Sequence, residues 1–590
     1  MAKISFTEAS ASTKTDVAIV GAGVSGLYAA WRLLSEDKAK HVTVIERLNR
    51  TGGRLDTDIV EVNPGEIVRE EEGGMRFNFG MTELMTLAAA LDLCKDIVPF
   101  PMGSANDTNR FFLRGRNFTV ADAAASGQMI WSEIYNLSEA ERGLSPVEIV
   151  TSAFDKILYA NGVIPSKGNP PEFWTKVRNE FSWNGTLMRD WQVWGLLRDM
   201  GHTEECIQML SQTIGFAGPF KSMANAGDAF QILADFPKDP SYYTFEKGFS
   251  TLPNALVEAL DAMGDRCSIL LSTNVDAVTK SGDCFTLSVT EAPEHVNARP
   301  SLPGGEVKKI EAGKVIVAAA TKGAEDLFQG SPAFRDGPNA EKLWDALNSA
   351  LGMKLLKINL YFDSPWWEDG TTQRPPVQFG PNFTDLPINA IYPFYSLPEQ
   401  NRVLAGDPPK IRDAAAALTI YCDFSKTNFW HGLQPHEPKF SSPLQEKENE
   451  KVPQVMYGAS QDIVDAAKRQ IAVLFGTVNI PDPVLTSYRL WDGQEDFEFA
   501  YHQWKLGVDD EEVRRYLANP LEDVYFCNEA ISDMHGWVNG SLRSTNLVLA
   551  HFGIQPMSND PCIGPDQAEP TLAAAAATTK SVRRSGLWGL

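Results

Sequence analysis

A chain of 590 residues with 43% hydrophobic content can bury a large core and form two or three intertwined domains. Its formal net charge of −23, from 76 acidic and 53 basic residues, argues against nucleic acid and membrane as partners and for a dispersed, soluble protein. The seven cysteines run from Cys94 to Cys562 with no C-x-x-C, and an odd, scattered set fits a reducing compartment better than a disulfide scaffold.

Met1 to Lys14 is polar and rich in Ser, Thr and Ala, without the apolar centre of a secretory signal. No run reaches the roughly 20 apolar residues of a membrane helix. A cytoplasmic or otherwise intracellular location is therefore expected, and Asn184-Gly185-Thr186 reads as a chance glycosylation triplet. Asp16 to Val20 is a short, apolar, β-branched run, the composition of a strand buried on both faces of a parallel sheet. Gly21, Gly23 and Gly26 then spell G-x-G-x-x-G. The first glycine makes the tight turn, the second admits a pyrophosphate, and the third lets helix pack on strand. Val24 and Ser25 start that helix, whose first N–H groups have no intrahelical partner and can hold a diphosphate. A second strand, Val42 to Ile45, ends on Glu46, twenty residues beyond Gly26 and placed to bind a ribose, with Arg47 beside it.

Arg50, Gly52, Gly53, Arg54 and Thr57 follow as R-x-G-G-R-x-x-T. This resembles the motif after the second strand in flavoprotein amine oxidases, and the resemblance implies FAD as the cofactor. Arginine can neutralise its diphosphate, and paired glycines let the chain run against a flat ring system. Glu70 to Phe77 reads E-E-E-G-G-M-R-F and resembles the G-x-M-R segment of FAD-dependent L-amino acid oxidases. The resemblance implies that Gly74 and Met75 lie against the flavin and that Arg76 grips the substrate carboxylate with its planar fork. The competing reading pairs Arg76 with Glu70 to Glu72 in a solvated turn.

From Ala121 to Asp239 the pattern is helical, with Pro146 to Leu158 and Thr186 to Leu197 carrying apolar residues at three- and four-residue spacing. In the resembling family a helical insertion here covers the substrate. Lys247-Gly-Phe-Ser-Thr-Leu-Pro253 resembles the family turn that leads, through a helix, back to the FAD domain. Ser268 to Val278, Cys284 to Val289 and the run from Lys314 are strand candidates. Val275 takes the family position that faces the adenine. There is no second G-x-G-x-x-G for a nicotinamide domain.

Met353 to Gly370 resembles a family strand on which Lys357 holds a water at flavin N5; a lysine in an apolar strand is costly unless something satisfies it. Thr384 to Tyr395 resembles a segment whose tyrosine helps hold the carboxylate. Pro393 stands where the second family tyrosine would be, so Tyr392 and Tyr395 are both candidates. Trp491 occupies the place of a family tryptophan near the flavin. Asp523 to Glu529, then His535-Gly-Trp-Val538, resemble the closing element, with Asn528 in place of the usual glycine. By resemblance Glu529 binds the ribityl or diphosphate end, Gly536 offers its carbonyl to the amine, Trp537 walls the substrate cage, and the helix beyond Val538 meets the flavin's dioxo edge. His535 reads as positional rather than a ligand, and no metal ligands stand at recognisable spacing.

The expected fold is α/β: a Rossmann-like FAD-binding domain (15–65, 242–320 and 485–554), a mixed-sheet substrate domain (66–120 and 321–484), a helical domain (121–241) and a flexible tail (555–590) containing the low-complexity stretch Thr571 to Thr579. The resemblance implies oxidation of an L-amino acid by non-covalently held FAD, with hydride leaving Cα for N5. Hydrolysis of the imino acid gives a 2-oxo acid and ammonia, and dioxygen is reduced to hydrogen peroxide. A homo-oligomer is expected. The alternatives are an oxidase of amines without a carboxylate, an amino acid monooxygenase, and a non-catalytic FAD-binding interaction protein; retained Arg76 and Lys357 argue against the last.

Overall fold

The computed structural model describes residues 3–5, 12–104, 107–166, 169–234, 242–292, 306–368, 375–397, 399–400, 414–434, 458–477, 479–493 and 498–564. An eight-stranded sheet runs in the order Lys3–Ser5, Cys267–Leu271, Val42–Ile45, Ser12–Val20, Val307–Val317, Cys284–Glu291, Thr273–Ser281, with Val524–Phe526 also pairing with Val307–Val317. The strands around Ser12–Val20 are parallel, and its pairing sets Val20 beside both Ile45 and Val317. Val17, Ala18 and Ile19 are buried, because packed elements cover both faces of this sheet. Helix Val24–Ser35 follows at once and is itself an inner helix, packed on helices Val538–Ala550 and Thr251–Asp261.

A seven-stranded sheet, Leu485–Trp491, Leu355–Phe362, Ala416–Asp423, Ala390–Tyr395, Asn382–Thr384, Arg110–Leu113, Arg116–Thr119, forms the other half. Every residue of Leu355–Phe362 is buried. Its two faces differ in chemistry, as the period of two requires. Leu356, Ile358, Leu360 and Phe362 share an apolar core with Ile463, Ile471 and Leu474 of helix Gln461–Phe475. Lys357 and Asn359, on the opposite face, reach the segment that leaves the hairpin Thr57–Asn63/Glu66–Glu71. Buried polar side chains on that face must be satisfied there, and this draws the Glu70-to-Gly73 segment against Lys357.

Several expectations are corrected. The stretch Thr186 to Leu197 is not one helix: Thr186–Leu187 pairs with Ser182–Trp183 around Asn184 (φ 49°) and Gly185 (φ 80°), and the helix begins at Val193. An Asn-Gly turn with both residues left-handed selects a hairpin more strongly than periodicity selects a helix. Ser268 to Val278 is two strands, broken at Ser272 (φ 49°). The first sheet begins before residue 15, with Lys3–Ser5 and Ser12 onward. Residues 555–564 are not a free tail, since Cys562 is buried and its N–H donates to the Met85 carbonyl at 3.2 Å. Thr571 to Thr579 lies outside the described residues. The reading of the cysteines is reversed for one pair: Cys94 and Cys562 form a disulfide with a Cα–Cα distance of 5.5 Å, leaving five free thiols. A count of cysteines carries no information about which two the fold brings together. Among the described residues no helix is long and apolar enough to cross a membrane.

Candidate active site

A cavity of about 890 Å³ runs between the two sheets. At one end lie Gly21, Gly23, Val24, Ser25, Glu46 and Arg47. Gly21 has φ +105°, a conformation other residues rarely adopt, and a Cβ on Gly26 would lie 2.0 Å from the Gly21 carbonyl oxygen. Gly26 therefore lines no cavity and instead seats the helix on the turn. Gly23, the N-cap, carries no side-chain cap, so the first amides of Val24–Ser35 face the cavity without an internal acceptor. Gly53 (φ +60°) runs so close that a Cβ there would sit 3.2 Å from Gly23 Cα. Glu46 is anchored by the amides of Ala22 (2.8 Å) and Leu48 (2.9 Å).

The two arginines of the R-x-G-G-R-x-x-T stretch have different roles. Arg50 pairs with Asp56 at 3.2 Å and does not line the cavity. Arg54 lines it and donates to Glu529 Oε2 at 2.6 Å. Glu529 also accepts from the amides of His502 (3.0 Å) and Gly536 (2.7 Å), and its other buried partner is His502 Nδ1 at 2.9 Å. Burial would raise this carboxyl, but Arg54 and His502 hold it well below the usual carboxylate range. Glu529 touches the cavity, yet its carboxylate is committed to protein partners; its work is to tie Arg54 to the Gly536 loop.

At the opposite end stand Gly74, Met75, Arg76, Lys357, Trp491 and Trp537, with Gly536 and Val538 beside them and Val275 along the wall. Lys357 is buried and donates to the carbonyls of Glu71 and Gly73, each at 2.7 Å. Burial pushes its ammonium down to about 8, opposed by Glu71, Glu72 and Glu70. Trp491 Nε1 donates to the Glu72 carbonyl at 2.6 Å. Arg76 is buried, 4.9 Å from the Tyr242 ring and 5.8 Å from Phe100, and it shares a hydrogen bond with Tyr392. Tyr242 in turn stacks on Trp537, with centroids 6.2 Å apart and planes at 14°. The glutamates take other partners: Glu70 accepts from Thr419 (2.8 Å), Glu71 from Thr57 (2.7 Å), Glu72 from Asn359 (2.8 Å) and Ser487. Tyr395 is elsewhere, donating to Glu368 at 2.9 Å. Of the two candidate tyrosines only Tyr392 reaches Arg76, although it lies behind the cavity lining.

A family model described as flavin containing amine oxidoreductase matches residues 24–407. The chain belongs to this family. It is 23% identical to achacin of Lissachatina fulica over 526 residues, 87% of this chain and 88% of achacin. It is 26% identical to an L-amino-acid oxidase of Mus musculus over 378 residues, 64% of this chain and 51% of the mouse protein. Among solved structures it is similar to wild-type putrescine oxidase bound to putrescine, at TM-score 0.58 and 16% identity over 92% of this chain and 100% of that one. Cyclohexylamine oxidase of Brevibacterium oxydans gives TM-score 0.56 at 17% identity over 91% and 98%. These likenesses show the fold, an α/β assembly of FAD-binding and substrate-binding parts.

The cavity of this amine oxidoreductase fits the flavin its family carries. An uncapped helix N-terminus beside three glycines is a diphosphate cradle, and a side chain at Gly21, Gly26 or Gly53 would distort it. Gly21, Gly23, Val24 and Ser25 would hold the diphosphate, Glu46 and Arg47 the ribose end, Val275 the adenine side, and Met75, Trp491 and Gly536 to Val538 the ring end. Among the described residues no cysteine lines the cavity. Sequence reasoning missed Tyr421, Tyr501 and Phe216, which line the substrate end, and His502 behind it. Tyr421 is opposite Lys357 across paired strands, its ring 4.9 Å from the ammonium. The available signal was a polar alternation, Thr419, Tyr421, Asp423, inside an apolar strand. The structure also gathers Glu141, His202 and Cys206, whose ligand atoms lie within 4.8 Å, although no metal grouping was expected. Glu141 there accepts from the Thr203 amide (2.7 Å) and hydroxyl (2.8 Å) and the Ser138 amide (2.8 Å), as a cap does.

Proposed function

We propose that this amine oxidoreductase is an L-amino acid oxidase, converting L-α-amino acids and dioxygen to 2-oxo acids, ammonia and hydrogen peroxide with non-covalently bound FAD. The observation that carries the reading is Arg76: a guanidinium buried among Tyr242, Phe100 and Tyr392, at the end of the cavity where Lys357 and Trp537 stand. A planar guanidinium in the cavity wall matches a carboxylate with two parallel bonds, and an amino acid supplies a carboxylate where a simple amine supplies none. The cofactor, when bound, would supply the redox chemistry, accepting a hydride with its two electrons from the substrate and passing those two electrons to dioxygen.

The protein's share is orientation. Arg76 grips the carboxylate with two parallel bonds, Tyr392 holds the guanidinium in place, and Trp537 on Tyr242 restricts where the amine and Cα can sit. The Gly536 carbonyl takes the neutral amine, and Lys357, fixed by two carbonyls, keeps a water at the reacting edge. A substrate held in one pose loses its rotational freedom before the chemistry begins. Oxygen uptake with the common L-amino acids, set beside their decarboxylated amines, tests the reading, with 2-oxo acid, ammonia and peroxide measured together. Faster turnover of the amines, or an amide product, would replace it with one of the alternatives.

A further inference from the structure

His535 is fully buried and lines the cavity one residue before Gly536. Its Nδ1 lies 3.0 Å from Asp228 Oδ2, and its Nε2 lies 3.0 Å from the Ala530 carbonyl oxygen. A carbonyl only accepts. As a carboxylate Asp228 also only accepts: its Oδ2 takes the Trp504 amide at 3.0 Å, and its Oδ1 is 3.6 Å from Arg178. Both imidazole nitrogens therefore face acceptors, while a neutral imidazole carries one N–H. Turning the ring over would set carbon against each acceptor and lose both bonds.

We propose that His535 is a doubly protonated imidazolium at neutral pH and acts as a positioning residue, setting a fixed positive charge in the cavity wall. It rests on the flavin reading for its consequence. The charge adds to the positive end of helix Val538–Ala550 on the same wall, and together they favour electrons arriving on the ring system. Burial opposes the charge, but the carboxylate of Asp228 outweighs it and the ring is held above its ordinary value. The charged groups around it are consistent. From helix Pro171–Asn179, Arg178 bonds Asp510 at 2.9 Å. Asp533 is paired with Arg543 at 2.7 Å and stands 3.5 Å from Arg514, and Glu529 is taken by Arg54 and His502. Strand Tyr501–Trp504 sets the Trp504 ring 4.9 Å from the imidazole, and its titratable side chains are Tyr501 and His502, the latter on Glu529.

The test is nuclear magnetic resonance of ¹⁵N-histidine-labelled, flavin-loaded protein, with His535→Asn and His535→Gln to assign the signal. Protons on both His535 nitrogens at pH 7.5, persisting above the ordinary histidine range, are expected; a single-proton tautomer at pH 7 overturns the proposal. The second measurement is the flavin reduction potential. In His535→Asn the amide can still donate toward Asp228 without the charge, so the potential should move to a more negative value while flavin stays bound. An unchanged potential in a folded, flavin-loaded variant overturns the charge role. If the variants fail to fold, the wild-type titration decides, its buried signal distinguished by slow solvent exchange. Neither measurement uses an amino acid, so an enzyme that prefers amines would fail the substrate reading and leave this one standing.

Discussion

Arg54 and Glu529, 475 residues apart in sequence, meet at 2.6 Å and join the glycine-paired loop after the second strand to the closing loop of the chain. Removing one partner of a buried ion pair strands the other. Glu529→Gln should cost on the order of 3 kcal/mol, near the lower end for buried pairs because the Arg54 side chain keeps 21% exposure. The variant should also retain flavin poorly. The pH sign follows from the depressed carboxyl: the pair's contribution is present above the unfolded glutamate range, near pH 4.5, and is lost as pH falls through the lower folded value. Thermal melts of both proteins between pH 3 and 7 check this, and a parallel offset at every pH would count against it.

Arg76→Ala should keep its flavin and fold and lose most of kcat/KM for L-amino acids. The loss of a charge-assisted fork in a desolvated site is about 2–5 kcal/mol, roughly 30- to several-thousand-fold. An amine without a carboxylate should be affected far less. Equal losses on both kinds of substrate would make Arg76 a structural partner of Tyr392 and Tyr242.

Lys357→Met should bind flavin and slow one of the two half-reactions, reduction by substrate or reoxidation by dioxygen, in stopped-flow measurements. Its ammonium is pushed down to about 8, so the unfolded chain binds more protons than the folded one between about pH 8 and the ordinary lysine value of 10.5. Across that window wild-type stability should rise relative to Lys357→Met. Two unchanged half-reactions would leave Lys357 as the strap that holds the Glu71 and Gly73 carbonyls.

Denatured protein should titrate five thiols without reductant and seven with it, since Cys94 and Cys562 are cross-linked and five cysteines are free. Cys94→Ser should lower the melting temperature, with a destabilisation of about 2–4 kcal/mol for a long closed loop. Seven thiols before reduction would remove the cross-link.

Acid release should leave the precipitated chain colourless and the supernatant yellow, because no cysteine among the described residues lines the cavity. Flavin that stays with the precipitate would mean a covalent bond to another side chain.

What was legible in the sequence was short-range. Gly21, Gly23 and Gly26 specify a turn whose geometry is decided within six residues, and the apolar runs Asp16 to Val20 and Val42 to Ile45 declare strands that can only be buried on both faces. The Asn184–Gly185 turn is equally local, and its left-handed backbone preference outweighs the helical periodicity around it. Arg76 and Lys357 were found through resemblance, but their surroundings were not. Tyr392 and Tyr395 stand three apart on one strand, so alternation places them on opposite faces; the strand cannot say which face is the site, and pairing with Ala416–Asp423 decided it. The same holds for Lys357 with Glu71 and Gly73, for Cys94 with Cys562, and for His535 with Asp228, 307 residues apart. Each such contact depends on which elements pack together, a choice made by burying the whole apolar surface at once. A local pattern fixes backbone angles over one turn or strand, whereas a partner hundreds of residues away is set only when the sheets and helices between them have closed.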